Sequence, residues 1–172
     1  WLKLIQETLI GVARDIHTWT SLDGVRYTAL GTDRKLYLYS EGVAYDITPI
    51  RLEAALTNPF TTNATTTVTV AHTSHGASEG DFVTFDSFSA IDGLDMNKEF
   101  EITTVVDANS YKVTHTSQAS GSTSGGGGSG NAKYQISVGV SEATYGYGWG
   151  TDAWNVDTWN SPRSTSTVTL DA

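Results

Sequence analysis

Residues 12–49, VARDIHTWTSLDGVRYTALGTDRKLYLYSEGVAYDITP, decide the fold class. Within them 12–19, 25–30, 35–39 and 43–47 alternate or cluster apolar and β-branched side chains, the pattern of half-buried strands. The breaks at Asp23-Gly24, Gly31-Thr32-Asp33 and Glu41-Gly42 use residues that suit tight turns. Four antiparallel strands this close together match one blade of a β-propeller. A lone blade cannot bury its own faces, so the stretch is expected to need neighbours.

The rest of the composition agrees. Of 172 residues, 17% are charged, below the usual quarter, and Thr, Ser and Gly fill the gap. That mix favours all-β structure over helices, for which Ala, Leu, Glu and Lys would dominate. Nineteen acidic against ten basic residues leave a net charge of −9, with no cluster of Lys and Arg. Phosphate neutralisation needs such clusters, so a nucleic-acid partner and attachment to an anionic membrane are disfavoured. With no cysteine there is neither a disulfide frame nor a thiolate ligand or nucleophile. No apolar run approaches the roughly 20 residues that span a bilayer, and membrane insertion is not expected. The start, Trp-Leu-Lys-Leu-Ile, has neither Met nor a signal-peptide layout, and the chain is expected to begin inside a longer polypeptide.

Outward from the blade, 1–11 fits a short helix or an irregular strand equally, with Leu2, Ile5 and Leu9 on one helical face and Gly11 as a stop. Residues 51–57, RLEAALT, allow about one or two helical turns before Asn58-Pro59. From Phe60 the texture becomes Thr-rich. Strands are expected at 66–71 and 82–85, then a loop over 87–97 in which Ile91, Leu94 and Met96 plug a small core. A hairpin follows across 107–110, its arms 99–106 and 111–116. In the second arm Tyr111, Val113 and His115 share one face, and Lys112 and Thr114 the other.

Residues 117–132, SQASGSTSGGGGSGNA, offer little apolar surface to offset backbone ordering and read as flexible coil. A strand at 133–140, an aromatic and Gly-rich run at 145–159 and a last strand at 164–170 complete the chain. The expected fold is therefore all-β: a partial β-propeller of about one blade plus flanking strands, with an inserted small β-barrel or sandwich module. Its parts are a blade segment at 1–57, the inserted module at 58–116, a linker at 117–132 and a return at 133–172, whose first strand would pair with the next blade.

The blade, the Thr-rich module with VTVAHTSHGASEGDFVTF and DANSYKVT, and then GYGWGTDAWNVDTWNSPR together resemble tail proteins of short-tailed double-stranded DNA phages. In particular they resemble the nozzle, a tail tubular protein B-like component at the distal end of the tail tube. The middle module resembles the first catalytic-cysteine half-domain of ubiquitin-activating enzymes, here without the cysteine. The resemblance implies a virion protein forming a six-subunit ring, with a propeller-type platform and inserted β-domains around a DNA channel. Its implied partners are other copies of itself, the tail-tube adaptor, tail fibre proteins and phage DNA that passes without specific binding. Like charge along such a lumen repels phosphates and lets DNA slide.

Candidate sites have plain alternatives. His72 and His75 are spaced to chelate a metal, but a strand entering a turn does not aim i and i+3 the same way, and a polar hairpin end is preferred. Asp92, Asp95, Glu99 and Glu101 suggest calcium or paired carboxylates, yet lack the ligand periodicity and terminal Glu of a calcium loop. Trp149, Trp154 and Trp159 recur every five residues after Tyr145 and Tyr147. They suit packing between blades or subunits, or else a glycan platform. Exchanging Trp149 or Trp154 for Ala is expected to weaken assembly or stability. There is no G-x-S-x-G elbow, and 125–128 lacks the Lys-Ser/Thr of a phosphate loop. A non-enzyme without cofactor or metal is expected. The rivals are a receptor- or glycan-binding part of a tail fibre and, less favoured, a glycan depolymerase.

Overall fold

A computed structural model describes residues 9–139 and, as backbone, 142–144 and 167–169. Every element among them is a β-strand. The first four, β1 (Ala13–Thr20), β2 (Arg26–Thr32), β3 (Leu36–Ser40) and β4 (Val43–Asp46), form an antiparallel meander in sequence order. The turns follow the predicted chemistry. Glu41 and Gly42 both take positive φ, 50° and 95°, giving the primed two-residue turn whose twist matches the flanking strands. Gly24 (φ 82°) sits in the β1–β2 turn, which is closed by bonds between Ser21 and Val25.

Seven further strands make a second sheet. They are β5 (Ile50–Thr57), β6 (Phe60–Thr61), β7 (Thr67–Ala71), β8 (Phe82–Asp86), β9 (Glu99–Asp107), β10 (Ser110–Thr114) and β11 (Ser129–Gln135), in the order β5-β11-β8-β9-β10-β7-β6. The sheet curls until its end strand β6 meets the segment leading into β11 at one bridge, Phe60 to Gly126. Asn58 N–H to Gly128 O (2.7 Å) and Thr62 N–H to Thr123 O (2.9 Å) extend the seam on either side. The described strands do not form a fully laddered barrel. A separate pair joins β12 (Glu142–Thr144) to β13 (Thr167–Thr169).

The core lies inside the curl. Phe60, Val68, Val70, Val83, Phe85, Ile102, Tyr111, Val113 and Tyr134 come from alternate positions of the strands, and Leu94 and Met96 fill the space from the long loop, as the sequence predicts. Phe85 and Phe88 pack edge-on to Phe60 at 5.0 and 4.9 Å, the arrangement favoured by ring quadrupoles. Each such fully buried side chain contributes about 1.5–3 kcal/mol of transfer free energy.

Three expectations change. Residues 51–57 are not helical turns but β5, paired along its length with β11. Leu52, Ala54 and Leu56 turn toward the core while their neighbours face out, so a period of two prevails over helix-forming composition. Residues 117–132 do not run as a free coil: 121–128 line the seam and 129–132 begin β11. The strand expected at 133–140 starts at Ser129 and ends at Gln135, and it pairs with β5 and β8 rather than with another blade. The seven-stranded sheet thus draws strands from both sides of 58–116. The start at 1–8 lies outside the described residues.

Candidate functional site

The meander carries two unlike faces. Directly paired residues project to the same side, so one face presents the rows Trp19–Tyr27–Ser40–Val43, His17–Ala29–Leu38–Tyr45 and Asp15–Gly31–Leu36. Asp15, at its margin, is the one carboxylate in these rows. Trp19 stacks on His17 (5.7 Å, 26°) and on Tyr27 (5.6 Å, 21°). Trp19, Val43 and Tyr45 are each more than a third exposed, and Leu22 at the β1–β2 tip is fully so. Apolar and aromatic surface gathered on one sheet face marks a place where something packs.

The other face leans on the seven-stranded sheet through charge. Lys35, just before β3, buries its ammonium between Asp46 Oδ2 (2.6 Å) and Glu99 Oε1 (2.5 Å), above the Phe82 ring. Arg34 donates to Glu101 Oε1 at 2.5 Å. Gln135 Nε2 donates to Glu99 Oε2, and Val138 N–H to the buried Asp81 carboxylate. Neither Lys35 nor Asp81 stood out in the sequence. The available signal for Lys35 was its inward parity with Tyr37 on β3. An open groove of about 330 Å³ runs past Lys98, Phe100, Thr103 and Thr114, and the two carboxylates on its rim, Glu99 and Glu101, are held by these same cations.

His72, His75 and His115 are engaged in hydrogen bonds. His75 Nδ1 accepts from Ala77 N–H at 3.0 Å, which makes Nε2 the donor to Asp107 O at 3.0 Å. His115 is fixed the same way between Ser117 N–H and Asp95 O. His72 Nδ1 meets the Tyr134 hydroxyl at 2.7 Å. No cluster of three or more metal-ligating side chains occurs among the described residues. Asp92 staples two loops, its carboxylate accepting from Thr62 Oγ1 and from Thr123 Oγ1. Asp95 Oδ1 accepts from Asn97 N–H. Trp149, Trp154, Trp159, Tyr145 and Tyr147 lie outside the described residues.

The fold therefore defines an all-β protein of antiparallel sheets, with a propeller-like four-stranded meander set beside a curled seven-stranded sheet. No protein-family model matches the chain, and no curated protein does. Among solved structures, the phage phi92 endosialidase is similar at a TM-score of 0.44 and 20% identity, over 73% of this chain. The chain spans 18% of that protein, and a likeness of this degree carries no argument about function.

Proposed function

We propose that this chain is a structural component of a phage virion, part of the tail nozzle that forms the distal DNA channel and seats the tail-tube adaptor and fibres. The observation that carries this reading is the meander of β1 to β4, whose Trp19, Tyr27, Leu38, Val43 and Tyr45 form an apolar face on a sheet of blade size. Propeller blades have this form and are covered by the next blade or the next subunit. The sequence resemblance to nozzle proteins supplies the setting, a ring of like copies. The net charge of −9 supports a channel that repels DNA rather than binding it.

Electron microscopy of the protein, alone and in the particle, tests the reading. Six-fold rings at the tail tip are expected. Monomers, or trimers at fibre ends, would overturn it. In the same protein, Trp19→Ser with Tyr45→Ser should reduce ring formation while leaving the melting temperature nearly unchanged.

A further inference from the structure

At one end of the curled sheet three side chains, two of them from separate strands, form a hydrogen-bonded line. His72 follows β7, Tyr111 lies on β10 and Tyr134 on β11. The two hydroxyls are 2.8 Å apart, Tyr134 Oη is 2.7 Å from His72 Nδ1, and both tyrosines are fully buried. Burial raises both phenols, Tyr134 to about 12 and Tyr111 higher still, so each keeps its single proton.

Those two protons can be satisfied in one direction only. Among the described residues Tyr111 finds one hydrogen-bond partner, Tyr134. Its proton must go to Tyr134 Oη, the Tyr134 proton to His72 Nδ1, and His72 must be neutral with its own proton on Nε2. An imidazolium puts a donor on Nδ1. Tyr134 then accepts from His72 and turns its proton to Tyr111, whose own proton is left without an acceptor among the described residues. A buried donor without an acceptor is costly.

The surrounding charges reinforce this direction. From β5, Arg51 lies over the Tyr134 ring at 5.5 Å and donates to His75 O. The Asp81 carboxylate ahead of β8 is 4.0 Å from Arg51 and accepts from Ser78 and Val138 N–H. From the β9 end, Asp107 is solvent-exposed and caps Asn109 N–H. His75, from the same loop as His72, has both ring nitrogens engaged. Burial first, then the positive charge of the Arg51 guanidinium, holds His72 below its ordinary 6.5.

We propose that the His72–Tyr134–Tyr111 line is an acid-sensitive latch: neutral His72 fastens the end of β7 to β10 and β11, and its protonation reverses the line and loosens that end. The latch is independent of the nozzle reading and stands or falls without it.

Nitrogen-15 imidazole spectra of the full chain over a pH series, with amide exchange, test it. His72 is expected as the Nε2–H tautomer, titrating below 6.5, with protection at His72 and Tyr111 lost as it protonates. In His72→Asn, whose Oδ1 stands in for Nδ1, protection at neutral pH should remain and the acid-driven loss at Tyr111 should disappear. An Nδ1–H tautomer, a titration at or above 6.5, or the same acid-driven loss in His72→Asn would overturn the latch. Should that variant fail to fold, the wild-type tautomer and titration decide alone.

Discussion

Lys35 Nζ lies 2.5 Å from Glu99 Oε1 and so ties the start of β3 to the start of β9, joining the two sheets through an ammonium that is only 2% exposed. Asp46 Oδ2 holds the same nitrogen from β4 at 2.6 Å. Burial pulls the Lys35 pKa down, but hydrogen bonds to Asp46 and Glu99 and their attraction outweigh it and raise the group above 10.5. Burial likewise pushes Asp46 up, and hydrogen bonds from Lys35 and Thr48 bring it below 3.8.

Lys35→Met removes the cation and leaves two carboxylates facing each other. Breaking a buried pair costs about 3–5 kcal/mol, and the partial exposure of Asp46 and Glu99 reduces this to about 2 kcal/mol. Urea denaturation measures it. Adding Glu99→Gln should recover part of the loss, because it removes one uncompensated charge. A lysine that merely filled space would cost the same with either residue at position 99.

The pH dependence of that difference has a definite sign. Asp46 is depressed in the fold, so its contribution is present above 3.8 and is lost as pH falls through the folded pKa. Lys35 is raised, so its contribution is present below 10.5 and is lost as pH rises through the folded pKa. Melting temperatures of wild type and Lys35→Met should differ most between those limits and converge beyond both. A constant difference across the range would show that the pair is not the source.

Asp92 makes a sharper test of the calcium idea. Its carboxylate accepts from Thr62 and Thr123 hydroxyls, and its backbone O from Ser120 N–H at 2.9 Å, so the loop is closed by protein donors. Asp92→Ala is expected to cost about 2 kcal/mol, since it strands the buried Thr62 hydroxyl. Asp92→Asn keeps one acceptor and should cost less. Calcium or a chelator should leave the melting temperature unchanged. A calcium-dependent rise would restore the metal loop.

Strand alternation was legible where one face meets the core and the other meets water. Tyr111, Val113 and His115 are buried, and Lys112 and Thr114 are more open, as their spacing implies. Turns marked by Gly24 and Gly42 were legible because only a few residue types accept their backbone angles. In β5 the helix-forming Leu52-Glu53-Ala54-Ala55-Leu56 masked the same alternation, and what settles it is pairing with β11, some 75 residues away in sequence. Lys35 and Asp81 were illegible for a like reason: each is fixed by partners distant in the chain, Glu99 for one and Val138 for the other. The glycine run was misread because its value lies in what it lacks.

That last point can be measured at Gly127. Its φ is +99°, and a Cβ there would sit 2.5 Å from Phe60 Cδ2. Phe60 is fully buried against Phe85 and Phe88 and has nowhere to move. Overpacking and left-handed strain together predict that Gly127→Ala costs about 3 kcal/mol. Gly24→Ala is the control: φ is +82° but nothing lies within 4 Å, so strain alone, about 1 kcal/mol, is expected. Amide exchange adds an independent reading, because Gly126 N–H donates to Phe60 O at 2.8 Å and should exchange slowly. Equal costs at Gly127 and Gly24, with fast exchange at Gly126, would mean that the run hangs free as coil. Unequal costs with slow exchange would establish it as the seam of the sheet, where the missing side chains make room for Phe60.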